Sequence, residues 1–225
     1  MKRSEINTII ERAKDFMGKH QFHLPRWAYW RPEDWKGKHE QVREIIEAQL
    51  GWDITDFGQG DFARRGLVLF TIRNGIPGTD GKPYAEKIMV VAESQETPYH
   101  YHWNKMEDII NRGGGTLAME LYEADENDGL DTERTIRVQV DGITRSFAPG
   151  ERLLLGPGES ISLPPKLYHR FFGEAGHGDV LTGEVSKVND DKADNRFLEP
   201  LGRFPAIEED ESPLHLLVSD YERYL

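Results

Sequence analysis

Tyr99-His-Tyr-His-Trp-Asn-Lys-Met-Glu107 carries two histidines separated by a single residue, with a glutamate shortly after them. Side chains two apart on a β-strand project to the same side. An extended reading therefore lets His100 and His102 share one cavity while Tyr99, Tyr101 and Trp103 face the other way. A further histidine, His169, stands beyond Leu163-Pro-Pro165, and His100, His102, Glu107 and His169 together offer ligands for one divalent metal ion. Imidazole and carboxylate without sulfur suit Mn, Fe, Zn, Ni or Co, and the donor set does not choose among them. Lys105 and Glu107 are out of phase with the histidine pair, so a bulge or turn near Asn104 has to intervene if all four side chains are to converge.

Around this stretch the chain reads as mainly β. From about residue 66 it breaks into short runs at 67–73, 85–93, 117–124, 135–140, 143–147, 152–155, 160–163, 168–172 and 180–186, punctuated by Asn74-Gly75, Asp141-Gly142, Pro149-Gly150 and Pro157-Gly158. That texture describes a sandwich or barrel of short antiparallel strands. Upstream, Ile6, Ile9, Ile10, Ala13, Phe16 and Met17 keep helical spacing over 4–19, with Ser4 available as N-cap. Val42, Ile45, Ile46 and Leu50 form a second stripe over 38–50, with Gly51 as a stop. The aromatic, proline-punctuated segment 24–35 reads as ordered packing, and the apolar run from Leu214 fits either a strand or a helix. At 225 residues the expectation is one domain: a helical N-terminal extension over 1–65 packed on a β body over 66–188, then a loop and tail over 189–225.

A formal net charge of −12 weighs against nucleic acid, which is held largely through clustered Lys and Arg. The absence of cysteine rules out disulfides, thiolate zinc sites and a cysteine nucleophile. No secretory leader is visible and no stretch approaches the roughly 20 apolar residues of a membrane span, so a cytoplasmic protein with no membrane partner is expected.

His100-Tyr-His102-Trp-Asn-Lys-Met-Glu107, six residues and Gly114 resembles the first motif of the cupin superfamily, and Gly158, five residues, Pro164 and then His169 resembles the second. The departures are Ser94 where a glycine often opens the first motif, Lys166 where the second has glycine, and Gly173 for its closing asparagine. The resemblance implies a double-stranded β-helix, a jelly-roll barrel, over 66–188. Two longer stretches, from His102 to Gly115 and from Gly183 to Phe197, are similar to the D-lyxose isomerase family of cupins. That likeness extends over nearly the whole chain. It implies one divalent ion per subunit, usually Mn, and interconversion of D-lyxose with D-xylulose and of D-mannose with D-fructose.

Such an isomerisation moves a proton between C2 and C1 through an enediol, which calls for a metal at the two oxygens and a base at the carbon. Thr182, Glu184 and Ser186 alternate with Leu181, Gly183 and Val185, so Glu184 is the candidate base on a strand face turned to the cavity. Lys105 is the candidate donor to O1. Asp191, Asp194 and Arg196 follow the Glu184 strand in a polar stretch suited to capping the cavity and binding sugar hydroxyls. His20, His23, His39, His177 and His215 lie in helices, turns or the tail and are not candidates. The outward stripe of Tyr99, Tyr101 and Trp103 is too apolar to leave in water, and the N-terminal helices or a second subunit, in a homodimer, are expected to cover it. Two other functions share the ligand set, a cupin dioxygenase and a non-catalytic sugar-binding module.

Overall fold

The computed structural model describes residues 1–191, 193–202 and 204–225. Helix α1 (Arg3–Lys19) and the short helices α2 (Pro32–Trp35) and α3 (Arg43–Glu47) come first. Strands follow in order: β1 (Gly51–Thr55), β2 (Leu67–Arg73), β3 (Tyr84–Val91), β4 (Glu96–His102), β5 (Glu107–Gly114), β6 (Leu117–Ala124) and β7 (Leu130–Asp131). Then come β8 (Ile136–Val140), β9 (Ile143–Phe147), β10 (Arg152–Leu155), β11 (Ser160–Leu163), β12 (Leu167–Gly173), β13 (Val180–Lys187) and β14 (Asn195–Phe197), and α4 (Tyr221–Tyr224) closes the chain.

The strands form two antiparallel sheets, in the orders β1-β2-β3-β13-β5-β11-β8-β9 and β10-β6-β12-β4-β14, with β7 on β6. Their inner faces supply one core, in which Leu117, Met119 and Leu121 of β6 and Ile136, Val138 and Val140 of β8 meet Met89, Ile109 and Phe171. The outer face of β1, β2 and β3 is apolar as well, through Trp52, Ile54, Val68, Phe70, Ile88 and Val90, and it is covered by Ile6, Ile10, Ala13 and Met17 of α1. Burial on both faces is why Leu67 to Phe70 is a continuous apolar run rather than an alternating one. Among the described residues no helix is long and apolar enough to cross a membrane.

Several local expectations shift. Helix α1 begins at Arg3, and Ser4 is not its cap: the Ser4 hydroxyl donates to Asp210 at 2.7 Å, because residues 206–212 run back along the N-terminus. The helix expected over 38–50 is regular only at Arg43–Glu47. It ends four residues before Gly51, with Gln49 left-handed at φ 53° and Leu50 N–H donating to Ile45 O at 2.9 Å, a Schellman turn made without glycine. The segment 1–65 is not purely helical, since β1 joins the larger sheet, and β14 of the tail joins the smaller one. The end of the chain makes a single bridge from Leu217 to Trp52 and then turns into α4.

Ser94 and Lys166, where the cupin motifs have glycine, sit at φ 61° and 64°. The turns are kept although the residues favouring them are gone. Gly173 is packed so closely that an added Cβ would lie 2.7 Å from Ala92 O.

Of the aromatic stripe, Tyr101 is fully buried within the chain while Tyr99 and Trp103 are half-buried, and the cover over Tyr101 is a turn and not the N-terminal helices. Tyr101 is fully buried against Tyr168 and Trp103, and the turn between β6 and β7 closes over it: Tyr101 Oη donates to Asp128 Oδ1 at 2.9 Å and Tyr168 Oη to Asp128 O at 2.6 Å. Tyr99 donates to Glu120 at 2.8 Å beneath the Arg170 guanidinium.

The tail is locked to α1 by a buried cation. Arg3, 0% exposed, makes paired bonds to Asp220 (3.0 and 2.8 Å) and to Glu209 (2.8 and 2.8 Å). Arg3→Met strands the buried Asp220 carboxylate and should cost roughly 3–5 kcal/mol in urea unfolding. The Arg3 guanidinium holds the Glu209 carboxyl below its usual range, so that share of the stability is present above the ordinary carboxylate pKa and is lost as pH falls through the lowered value. The deficit of the variant should therefore shrink in acid.

Candidate metal centre and proton-transfer site

Strands β4 and β12 lie side by side with His100 opposite His169, and His102 one step further along the same face. The three rings converge, with centroids 4.2 Å (His100–His169), 5.2 Å (His100–His102) and 5.8 Å (His102–His169) apart, and one nitrogen from each lies within 4.8 Å of the others. His100 Nδ1 meets Pro98 O at 2.8 Å and His169 Nδ1 meets Leu167 O at 3.0 Å. Each carbonyl fixes its ring and leaves Nε2 as the lone-pair nitrogen turned inward, the arrangement by which proteins orient metal-binding imidazoles. Glu107 closes the group, its oxygens 3.1 Å from His169 Nε2 and 3.4 Å from His102 Nε2.

His169 Nε2 is buried without a hydrogen-bond partner among the described residues, beside a carboxylate and two further imidazoles. A divalent ion satisfies such a set, so the residues present fit the group. Burial, with the neighbouring histidines, pushes the His100 imidazole well below its ordinary pKa, and burial with Lys105 lowers that of His102. Both are therefore neutral at pH 7, the form that ligates. Burial would raise the Glu107 carboxyl, but Lys105 and His102 more than reverse it and hold it well below the usual carboxylate range.

The break in parity expected near Asn104 is a turn at 103–104, and Asp194 makes it. Asp194 Oδ1 accepts from Asn104 N at 2.8 Å and from its side-chain amide at 3.1 Å, Oδ2 accepts from Lys105 N at 2.9 Å, and the Asp194 carbonyl accepts from Trp103 N at 3.2 Å. The turn swings Lys105 inward to 2.7 Å from Glu107 Oε2 and 2.8 Å from Glu184 Oε1. Burial works against the charge on Lys105, yet the two carboxylates win and raise its pKa, so it remains an ammonium. Burial likewise opposes ionisation of Glu184, and Lys105 with Lys87 outweighs it, leaving that carboxyl below its ordinary range.

The residues proposed for the sugar separate. Asp191 lines the cavity. Asp194, as its bonds show, turns its carboxylate to the 103–105 backbone instead. Arg196 pairs in register with Tyr101 on the outer face and donates to Phe197 O, while its neighbours Asn195 and Phe197 line the cavity. The direction of a three-residue strand after a loop is set by its pairing with β4, which no local pattern announces. Lys87 was not foreseen. It is 4% exposed, stands directly opposite Glu184 between β3 and β13, and reaches Glu184 Oε1 at 3.3 Å and Asn189 Oδ1 at 2.7 Å. Its signal is a lone lysine in the apolar run 85–91, but both faces of that run are buried, so parity alone could not tell cavity from exterior. Phe57, Met89, Phe171 and Phe197 form the apolar wall facing these charges.

The profile of the D-lyxose isomerase family matches residues 1–221. The chain is 53% identical to the D-lyxose/D-mannose isomerase of Serratia proteamaculans and 48% identical to that of Escherichia coli O157:H7, in each case over all of both chains. It is 30% identical to the D-lyxose ketol-isomerase of Cohnella laeviribosi over 71% of this chain and 82% of that one. Among solved structures, the L-ribose isomerase of Acinetobacter sp. DL28 in complex with L-ribose superposes with a TM-score of 0.59 at 14% identity. That of Cellulomonas parahominis with L-psicose also gives 0.59, at 17% identity, and each match covers 92% of this chain and 98% of the other. These likenesses agree with the cupin-type, mainly β fold expected from the two motifs. The chain therefore belongs to the D-lyxose isomerase family and is an enzyme of the sugar-isomerase class.

Proposed function

We propose that this enzyme interconverts D-lyxose with D-xylulose, and D-mannose with D-fructose, by proton transfer through an enediol. The observation that carries the reading is Lys105 Nζ, 2.7 Å from Glu107 in the ligand cluster and 2.8 Å from Glu184, which sets a base one ammonium away from the metal group. A divalent ion held by His100, His102, Glu107 and His169 would supply Lewis acidity at the sugar's O1 and O2, and the family resemblance favours Mn over Zn, Fe, Co or Ni. Glu184 Oε1 already receives Lys105, Ser186 and Lys87, while Oε2 meets no protein donor among the described residues. Oε2 takes the proton from C2 as the C1=C2 bond forms, exchanges it in part with solvent, and delivers a proton to C1 as the C2 carbonyl forms. The hydroxyl proton passes from O2 to O1, and no oxidant or reductant is consumed. With Glu107 engaged by the ion, the Lys105 hydrogen that now meets Glu107 would turn to the oxygen carrying the developing charge, while the other two stay on Glu184 and Asn189. Asp191 and Asn195 are placed to bind hydroxyls of the chain.

Neither the dioxygenase nor the sugar-binding reading calls for a buried carboxylate held by two lysines. The test is D-lyxose and D-mannose conversion by the Mn-loaded enzyme in deuterated water. Ketose should form with solvent deuterium at C1 and without oxygen uptake. Oxygen consumption, binding without turnover, or product free of deuterium under slow turnover would each overturn the mechanism.

A further inference from the structure

Two ammonium groups crowd one carboxylate oxygen at Glu184, with Lys105 Nζ at 2.8 Å and Lys87 Nζ at 3.3 Å from Oε1. Like charges that close repel, and each ammonium has three hydrogens to place. One neutral acceptor meets both: Asn189 Oδ1 lies 2.7 Å from Lys87 Nζ and 3.3 Å from Lys105 Nζ. Being an amide, it binds the two lysines without competing with Glu184 for their charge.

Asn189 is itself held from behind. Its N–H donates to Asn74 Oδ1 at 2.9 Å, and its carbonyl accepts from Asn74 Nδ2 at 3.1 Å; the same Nδ2 donates to Ala48 O at 3.2 Å. The reciprocal pair copies the exchange between opposed residues of an antiparallel ladder, with a side-chain amide standing in for backbone. Both residues are buried, Asn74 at 5% and Asn189 at 9% exposure. The first residues beyond β13 are thereby pinned to the end of β2. Among the described residues no hydrogen bond joins Asn189 to the histidines or to Glu107; its reach into the site is through the two lysines.

We propose that Asn189, braced by Asn74, is a positioning residue of the isomerase reaction, holding Lys87 and Lys105 on Oε1 of Glu184 so that Oε2 stays free for the substrate carbon. The inference rests on Glu184 being the base. Without the amide, Lys87 and Lys105 share only Glu184 as a common acceptor, and either can rotate onto Oε2.

The experiment compares wild type, Asn189→Leu, Glu184→Gln and the double variant, each loaded with Mn and assayed on D-lyxose. Asn189→Leu should lower kcat about 10- to 100-fold, the scale of a lost hydrogen bond to a charged group, with a smaller change in KM and unchanged metal content. In the Glu184→Gln background the same substitution should add little, because its effect runs through Glu184. If Asn189→Leu does not fold, Asn74→Ala removes the brace without touching either lysine and should give the same split between kcat and KM. Unchanged kcat per metal-loaded molecule with only a lower unfolding midpoint would make the amide a structural residue and overturn the proposal. So would a full additional loss in the double variant. A wild type that turns over neither sugar would instead fail the isomerase reading at the first step, and the role of Asn189 with it.

Discussion

Glu184→Gln is expected to lower kcat on D-lyxose by about 10²- to 10⁴-fold, the range by which positioned acid–base groups accelerate proton transfer. Glutamine keeps the size of the side chain and an oxygen able to accept from Lys105, but it has no basic oxygen for the C2 proton. Because Lys105 and Lys87 hold the Glu184 carboxyl below its ordinary range despite burial, the base is already ionised at neutral pH. The loss should accordingly persist across the neutral and alkaline range instead of being recovered by raising pH. Exchange of the C2 proton with solvent should fall in parallel with turnover. Metal content should not change, since Glu184 reaches the ligand Glu107 only through Lys105. Stability should drop, because the substitution strands Lys87, whose only ion-pair partner among the described residues is Glu184. Turnover within a few-fold of wild type would remove Glu184 as the base.

Removing the metal is expected to be at least as damaging, by roughly a thousandfold or more in kcat/KM, because Lewis acidity at the two oxygens contributes several kcal/mol to the barrier. Chelation should abolish ketose formation, and added Mn should restore it. His169→Ala should impair metal retention and activity together, since His169 Nε2 is a buried nitrogen with no hydrogen-bond partner among the described residues. The metal-free protein should remain folded: Glu107, 3% exposed, keeps the Lys105 ammonium at 2.7 Å and is not left as an unpaired buried charge. Loss of the ion should still lower the unfolding midpoint by mass action, with a shift that grows with the Mn concentration of the loaded sample. Full activity after exhaustive chelation, with metal analysis showing none bound, would refute the metal-dependent mechanism.

The ligand cluster was legible in the order of residues because a strand repeats every two, so His-Tyr-His already implies two imidazoles on one face and aromatics on the other. The short runs and glycine-bearing turns announced nine of the strands from 67 to 187 for the same local reason, and the histidine spacing β4, whereas β5 and β7 were not foreseen. Glu184 followed from alternation with Gly183 and Val185. Even the turn at Asn104 was required by phase before its maker was known.

That maker, Asp194, lies 89 residues from the Lys105 backbone it holds, and the Asn74–Asn189 brace spans 115. Lys87 meets Glu184 because β3 and β13 are paired in one register, and Arg196 faces outward because β14 pairs with β4 in another. Hydrophobic period says which way a side chain points relative to its neighbours in the chain. It does not say which distant strand lies alongside, or which of two buried faces looks into the cavity. Residue order thus pointed to the candidate ligands and to the strand texture, whose signals are local spacings. The pairing of remote strands decided how Glu184 is held and which polar residues line the cavity, because those contacts exist only once the two sheets have closed.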